Sequence, residues 1–283
     1  MRLGLDIAQH RVSFDEVINR ARLGERLGFT GVWGFDHFKP MYGQGPGECF
    51  EGMTTLAALA GVTSTVRLGL LVTGVTYRHP SVLACQAITV DHASHGRLDL
   101  ALGAAWAQAE HDELGIEFPR TGQRFDLLED TLEIVTRLFT GEQVSYQGRR
   151  LSLRNAQMRP VPVQSPRPPI WIGGRGPKRT LPLVARYADM WHTYLDADYP
   201  ELSRRVDDLA RKESRDPADI GRAGSLSLSE PWPEVRAAIE RNLDRGISYL
   251  VCSWPSEGAD RVTSSQRRWR RTTAPKRGSR RRA

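Results

Sequence analysis

The chain has few of the residues that commit a protein to special chemistry. Its 283 residues include three cysteines, Cys49, Cys85 and Cys252, far apart and without CxxC spacing. That excludes a disulfide framework and a cysteine-rich zinc site. No apolar run approaches the ~18 residues of a membrane-spanning helix. The start, MRLGLDIAQH, lacks the charged-then-apolar layout of a signal peptide, so a cytoplasmic location is expected and a membrane is not. No GxSxG or catalytic-cysteine signature is present, and His79, His92, His95, His111 and His192 show no HExxH-like ligand spacing. Hydrolase chemistry has no visible nucleophile, and no metal is expected.

The basic balance of +7 is local. Residues 262–283 carry eight Arg, one Lys and no acid, and removing those nine charges leaves the body at −2. A nucleic-acid-binding body is therefore not implied.

What is present is a regular alternation. Short apolar runs predict strands at Arg2–Ala8, Gly31–Gly34, Val66–Thr73, Leu98–Leu102, Ile170–Ile172, Asp189–Thr193, Gly224–Leu228 and Tyr249–Ser253. Helical spacing predicts helices at Phe14–Leu27, Thr54–Ala60, Ser81–Ser94, Arg124–Phe139, Leu181–Tyr187, Leu202–Lys212 and Trp232–Arg245. Gln143–Leu153, with a Tyr146-Gln147-Gly148 turn, reads as a β-hairpin inserted after the fourth of these helices. Eight βα units over roughly 250 residues predict an α/β fold, a (β/α)₈ TIM barrel. A doubly wound sheet would place GxGxxG after the first strand, where Ile7-Ala8-Gln9-His10 stands.

In such a barrel, chemistry gathers where strands end. Asp36 and His37 follow the second strand, Thr73 ends the third, Gly103 to Trp106 follow the fourth, and Gly173 to Gly176 follow the fifth. A histidine beside a carboxylate is suited to proton transfer, or the pair is a loop cap. Gly173-Gly174-Arg175-Gly176 entering a helix either cradles phosphate or makes a tight strand-to-helix turn. Trp106 either covers a planar ring or packs.

FDHF at 35–38, EGMTTLAALA at 51–60, VRLGLLVTGVTYRHP at 66–80, GRLDLALGAAW at 96–106 and GGRGPKRTLPLVARYADMW at 173–191 occur in order. Together they resemble the luciferase-like monooxygenase superfamily. Within it they are most similar to deazaflavin-dependent oxidoreductases that use coenzyme F420, including a branch in which GAAW precedes an acidic segment, here Ala109-Glu110-His111. The resemblance covers residues 1–260 and implies a deazaflavin across the strand ends, with hydride passing at ring carbon C5. It implies that His37 is the acid or base, that Asp36, Thr73, Gly103 and Trp106 border the ring, and that Gly173, Gly174 and Gly176 hold the cofactor phosphate. It further implies a non-proline cis peptide between Leu71 and Gly74. Flavin mononucleotide (FMN), used by monooxygenases of the same superfamily, is the alternative cofactor. A homodimer and a small organic substrate are expected.

The family's barrel ends in an amphipathic helix, yet almost no aliphatic residue follows Val262. The reading is a luciferase-like domain over residues 1–261 and a basic, disordered tail over 262–283, with the eighth helix missing or altered, as a frameshift in a GC-rich gene would produce. Exposed apolar surface on the first and last strands, and lowered stability, would follow. Nucleic-acid binding through the tail is the non-enzymatic alternative, and a damaged, inactive paralogue is another.

Overall fold

A computed structural model describes residues 1–273, with side chains through Trp269. In chain order the first half runs β1 (Arg2–Asp6), α1 (Phe14–Leu27), β2 (Gly31–Gly34), α2 (Gly52–Val62), β3 (Arg67–Leu70), β4 (Thr73–Gly74), α3 (Pro80–Ala93), β5 (Leu98–Gly103), α4 (Gln108–Leu114) and α5 (Thr121–Leu138). The second half runs β6 (Val144–Gln147), β7 (Ser152–Ala156), β8 (Ile170–Gly173), α6 (Thr180–Tyr187), β9 (Met190–His192), α7 (Tyr199–Lys212), β10 (Gly221–Leu226), α8 (Trp232–Asp244), β11 (Tyr249–Cys252) and α9 (Ala259–Thr273). A short 3₁₀ turn, Pro217–Asp219, precedes β10.

Parallel pairing runs β3-β2-β1-β11-β10-β9-β8-β5-β4, and β3 also pairs with β5 through Leu68↔Leu98 and Gly69↔Asp99. The sheet therefore closes, with β3 and β4 sharing one of eight positions, and the expected TIM barrel is what forms. Trp33, Trp171 and Tyr249 fill its interior; the two tryptophan rings lie 4.5 Å apart, and Trp33 Nε1 donates to Tyr249 Oη at 3.1 Å. Glycine at two facing positions makes room for them. A Cβ on Gly4 would lie 2.6 Å from Trp33 Nε1, and one on Gly69 2.4 Å from its ring. The expected hairpin is β6–β7, tied to α5 by buried Asp130, which accepts from Tyr146 Oη at 2.8 Å and Arg150 N–H at 2.7 Å.

Most strand ends shift by a residue or two from expectation, and three of the differences have a clear local cause. β1 stops at Asp6, where Oδ1 accepts the Ala8 N–H at 2.9 Å and Ala8 turns to φ +46°. The third strand divides at Leu71–Val72, a non-proline cis peptide inside the implied window. β10 begins at Gly221, earlier than Gly224, because residues 221–223 pair with β9.

The reading that nothing beyond Val262 can bury a helical face is corrected. Val262, Ser265 and Gln266 are buried on α9, and Trp269 packs against the core. Their spacing, 262, 265, 266 and 269, is one helical stripe. Gln266 Nε2 also donates to the Leu27 carbonyl at 3.3 Å, and Leu3 and Cys252 on the first and last barrel strands are buried. The stripe escaped sequence reading because two of its members are polar. The rest of the expected tail, 274–283, lies outside the described residues.

Candidate active site

The C-terminal strand ends converge on a cleft of about 700 Å³. His37, Gly103, Trp106, Gly173, Gly174 and Gly176, each named from sequence, all line it. Asp36 and Thr73 do not. Thr73 is buried in β4, and Val72 and Gly74 face the cleft beside it. Asp36 is buried beneath the surface, where Arg78 grips both its oxygens at 2.6 and 2.8 Å and Gly74 N–H donates to Oδ2 at 3.0 Å. Arg78 also reaches Glu51 at 2.8 Å. Burial opposes the Arg78 charge, but the two carboxylates outweigh it and raise the guanidinium above its ordinary range. Asp36 thus pins the backbone that borders the cleft; a ring-contacting role for its side chain is not what the geometry gives.

His37 is held by a residue that sequence reading quoted only as a family marker. Buried Glu110 places Oε2 2.9 Å from His37 Nδ1 and accepts Tyr77 O–H on the same oxygen at 2.5 Å. Its Oε1 accepts Phe38 N–H at 2.6 Å and Lys39 N–H at 2.9 Å. Burial pushes the Glu110 carboxyl up, but these donors, Tyr77 and His37 foremost, outweigh burial and hold it below the usual range. An ionised Glu110 assigns the Nδ1 proton to its own side, leaving Nε2 to act as the acceptor. The missed signal was Glu110 in the first turn of α4, a short helix whose seven residues gave no clear apolar period. Its neighbour His111 is buried and structural: Nδ1 pairs with the Ala107 carbonyl at 2.8 Å, Nε2 with Thr76 at 2.6 Å, and the ring stacks on Tyr77 at 4.6 Å.

The glycines have distinct jobs. A Cβ on Gly103 would sit 2.5 Å from Val72 Cγ2, and one on Gly173 2.8 Å from Val72 Cγ1. Val72 therefore occupies the notch between β5 and β8 and gives the cleft an apolar floor. Gly174 adopts φ +119°, with its N–H on the His192 carbonyl at 3.1 Å and its own carbonyl on Trp191 Nε1 at 2.7 Å. Beyond Gly176, α6 starts without a side-chain cap; Thr180 and Leu181 N–H donate to the Gly176 carbonyl at 2.9 and 3.1 Å, so what the helix start turns toward the cleft is the positive end of its dipole. Of the nearby cations, Arg175 pairs with Asp196 and Asp198, and Arg179 with Asp126.

Trp106 is 67% exposed, its ring 5.4 Å from that of His37. This is a lip, not a packed core tryptophan. The cleft is also lined by His192, which burial pushes down to about 4 although its edge reaches the cleft, and by Ser225, 3.3 Å from its Nε2. No cluster of three or more metal-ligating side chains occurs among the described residues. No described helix is long and apolar enough to cross a membrane.

The profile of the luciferase-like monooxygenase family matches residues 1–280. An F420-dependent glucose-6-phosphate dehydrogenase of Microbacterium testaceum is 30% identical over 247 residues, covering 85% of this chain and 71% of that protein. An F420-dependent secondary alcohol dehydrogenase solved with an F420–acetone adduct superposes with a TM-score of 0.83 at 18% identity, over 94% of this chain and 97% of that one. The F420-dependent tetrahydromethanopterin reductase of Methanopyrus kandleri gives 0.80 at 16% identity, over 94% and 97%. With a closed barrel of matching topology and a match from end to end, the chain belongs to the luciferase-like monooxygenase family.

Proposed function

We propose that this oxidoreductase is F420-dependent and moves a hydride between the deazaflavin and a small organic substrate, with His37 transferring the accompanying proton. The observation that carries the reading is the pairing of buried Glu110 with His37 at the edge of an apolar-floored cleft. The cleft suits the cofactor: Val72, Gly103 and Ala104 offer a shelf for a planar ring, Trp106 a lip, and Gly174, Gly176 and the uncapped start of α6 a seat for phosphate. When bound, the deazaflavin supplies a carbon that accepts or donates hydride.

The protein's share is positioning and proton management. Glu110 fixes the imidazole tautomer, so Nε2 takes the proton of an alcohol as it is oxidised, or returns one to a carbonyl as it is reduced. Asp36 holds Gly74 and thereby the backbone under the ring. Trp106 narrows the mouth and excludes water from the reacting atoms. A fluorescence titration with F420, followed by stereospecific transfer of deuterium between substrate and cofactor, tests the reading. Saturable binding with deuterium transfer supports it; no F420 binding refutes it.

A further inference from the structure

The cleft has a second wall that the proton-transfer scheme does not use. Residues at the C-terminal ends of β1, β9, β10 and β11 line it: Asp6, Thr193, Ser225 and Ser253, together with Tyr42 and Tyr194. Thr193 is 4% exposed, and its Oγ1 is buried without a hydrogen-bond partner. A buried hydroxyl with no partner is costly unless a ligand supplies one. Asp6 uses Oδ1 on the Ala8 N–H at 2.9 Å, while Oδ2 has no hydrogen bond and the carboxyl forms no ion pair among the described residues. The nearest cation, Arg20, is committed elsewhere: it bonds Glu16 at 2.9 Å and the Ile7 carbonyl at 3.0 Å and lies over the Trp254 ring. Tyr42 and Tyr194 are 69% and 75% exposed, large apolar faces at the rim of the same wall.

The charge inventory points one way. Among the described residues, Arg175 is the only lysine or arginine lining the cleft, and Asp196 and Asp198 hold its guanidinium. No unpaired cation among the lining residues could neutralise a substrate phosphate or carboxylate, and Asp6 would repel one. Two tyrosine faces beside a carboxylate instead suit a group that donates hydrogen bonds or carries positive charge.

We infer that Asp6, with Thr193 and the Tyr42 and Tyr194 rings, selects the substrate: a non-anionic alcohol or amine with an apolar body, not a phosphate ester of the kind named for the Microbacterium relative. This inference rests on the oxidoreductase reading for its chemistry, but the wall can be tested without turnover. The carboxylate accepts the donor hydrogen of the ligand, and Thr193 lines the wall beside it.

The test is a calorimetric titration at pH 8 with benzylamine, benzyl alcohol and benzoate, on the protein alone and on the F420-loaded protein. Benzylamine and benzyl alcohol should bind, with benzoate at least tenfold weaker than benzylamine. Asp6→Asn keeps the acceptor for Ala8 N–H and should shrink that gap to less than threefold, with F420 affinity unchanged as the check on folding. Equal or tighter benzoate binding, no binding by any of the three, or a gap that survives Asp6→Asn each overturns the inference. If F420 does not bind, the deazaflavin reading fails, and the series on the protein alone still decides the role of Asp6.

Discussion

Replacing Glu110 by glutamine tests the proton-transfer unit with almost no change of shape. The glutamine carbonyl can still accept from Phe38 and Lys39 N–H, but its NH₂ takes the place of Oε2, 2.9 Å from His37 Nδ1 and 2.5 Å from Tyr77 Oη. An amide donor there forces Nδ1 to accept, and the ring proton moves to Nε2, the atom that has to take the substrate proton. General acid–base catalysis is worth about 10²–10⁴-fold, so kcat for alcohol oxidation should fall by about that factor. Loss of a charge-assisted hydrogen bond should also cost about 1.5–3 kcal/mol of stability. Long-range ¹H–¹⁵N NMR of the histidine rings reads the tautomer without any substrate, and F420 affinity should stay within twofold. An unchanged His37 tautomer, or a kcat within threefold of wild type, refutes the reasoning.

Three further outcomes follow from the same geometry. Arg78→Met strands the buried Asp36 carboxylate and should destabilise the fold by about 3–5 kcal/mol in urea titrations, with a smaller loss at acid pH where Asp36 can protonate. Ending the chain at Arg261 removes the buried stripe of α9 and uncovers Leu3 and Cys252; burial of Val262 and Trp269 alone predicts a loss of at least about 3 kcal/mol, whereas a passive tail predicts no change in the melting curve. Burial pushes Asp6 from 3.8 up to about 6, so its stabilising contribution is complete below about pH 4 and is lost as pH rises through 6. Asp6→Asn should therefore gain about 1–2 kcal/mol on wild type between pH 4 and pH 8, allowing for cleft water at the carboxyl edge; an Asn advantage that is equal at both pH values contradicts this.

The barrel was legible because each strand is a short apolar run with its own boundary signals, and pairing around a closed sheet leaves few alternatives for such runs. The same rule, chemistry at strand ends, led to His37, Gly103, Trp106 and the 173–176 glycines, which line the cleft. It failed where an end was misplaced. Reading the first strand through Ala8 hid Asp6 inside it, although Asp6 is the last residue of β1. Glu110 lay beyond the rule, since its role depends on α4 folding back to the FDHF loop, a tertiary contact over 73 positions. Asp36 was correctly placed but wrongly aimed, because the demand of Arg78 for a bidentate carboxylate is visible only in three dimensions. The α9 stripe was lost for the opposite reason. Serine and glutamine are read as polar in a pattern, yet Ser265 and Gln266 are buried where the helix packs closely, and the Gln266 amide finds the Leu27 carbonyl.

The most direct test is a side-by-side titration of the protein with F420 and with FMN, followed by cofactor and intrinsic fluorescence. The account predicts saturable F420 binding, FMN at least tenfold weaker, and weakened F420 binding when Gly176→Asp sets a negative side chain at the start of α6. FMN binding more tightly than F420, or F420 binding indifferent to that substitution, would contradict it.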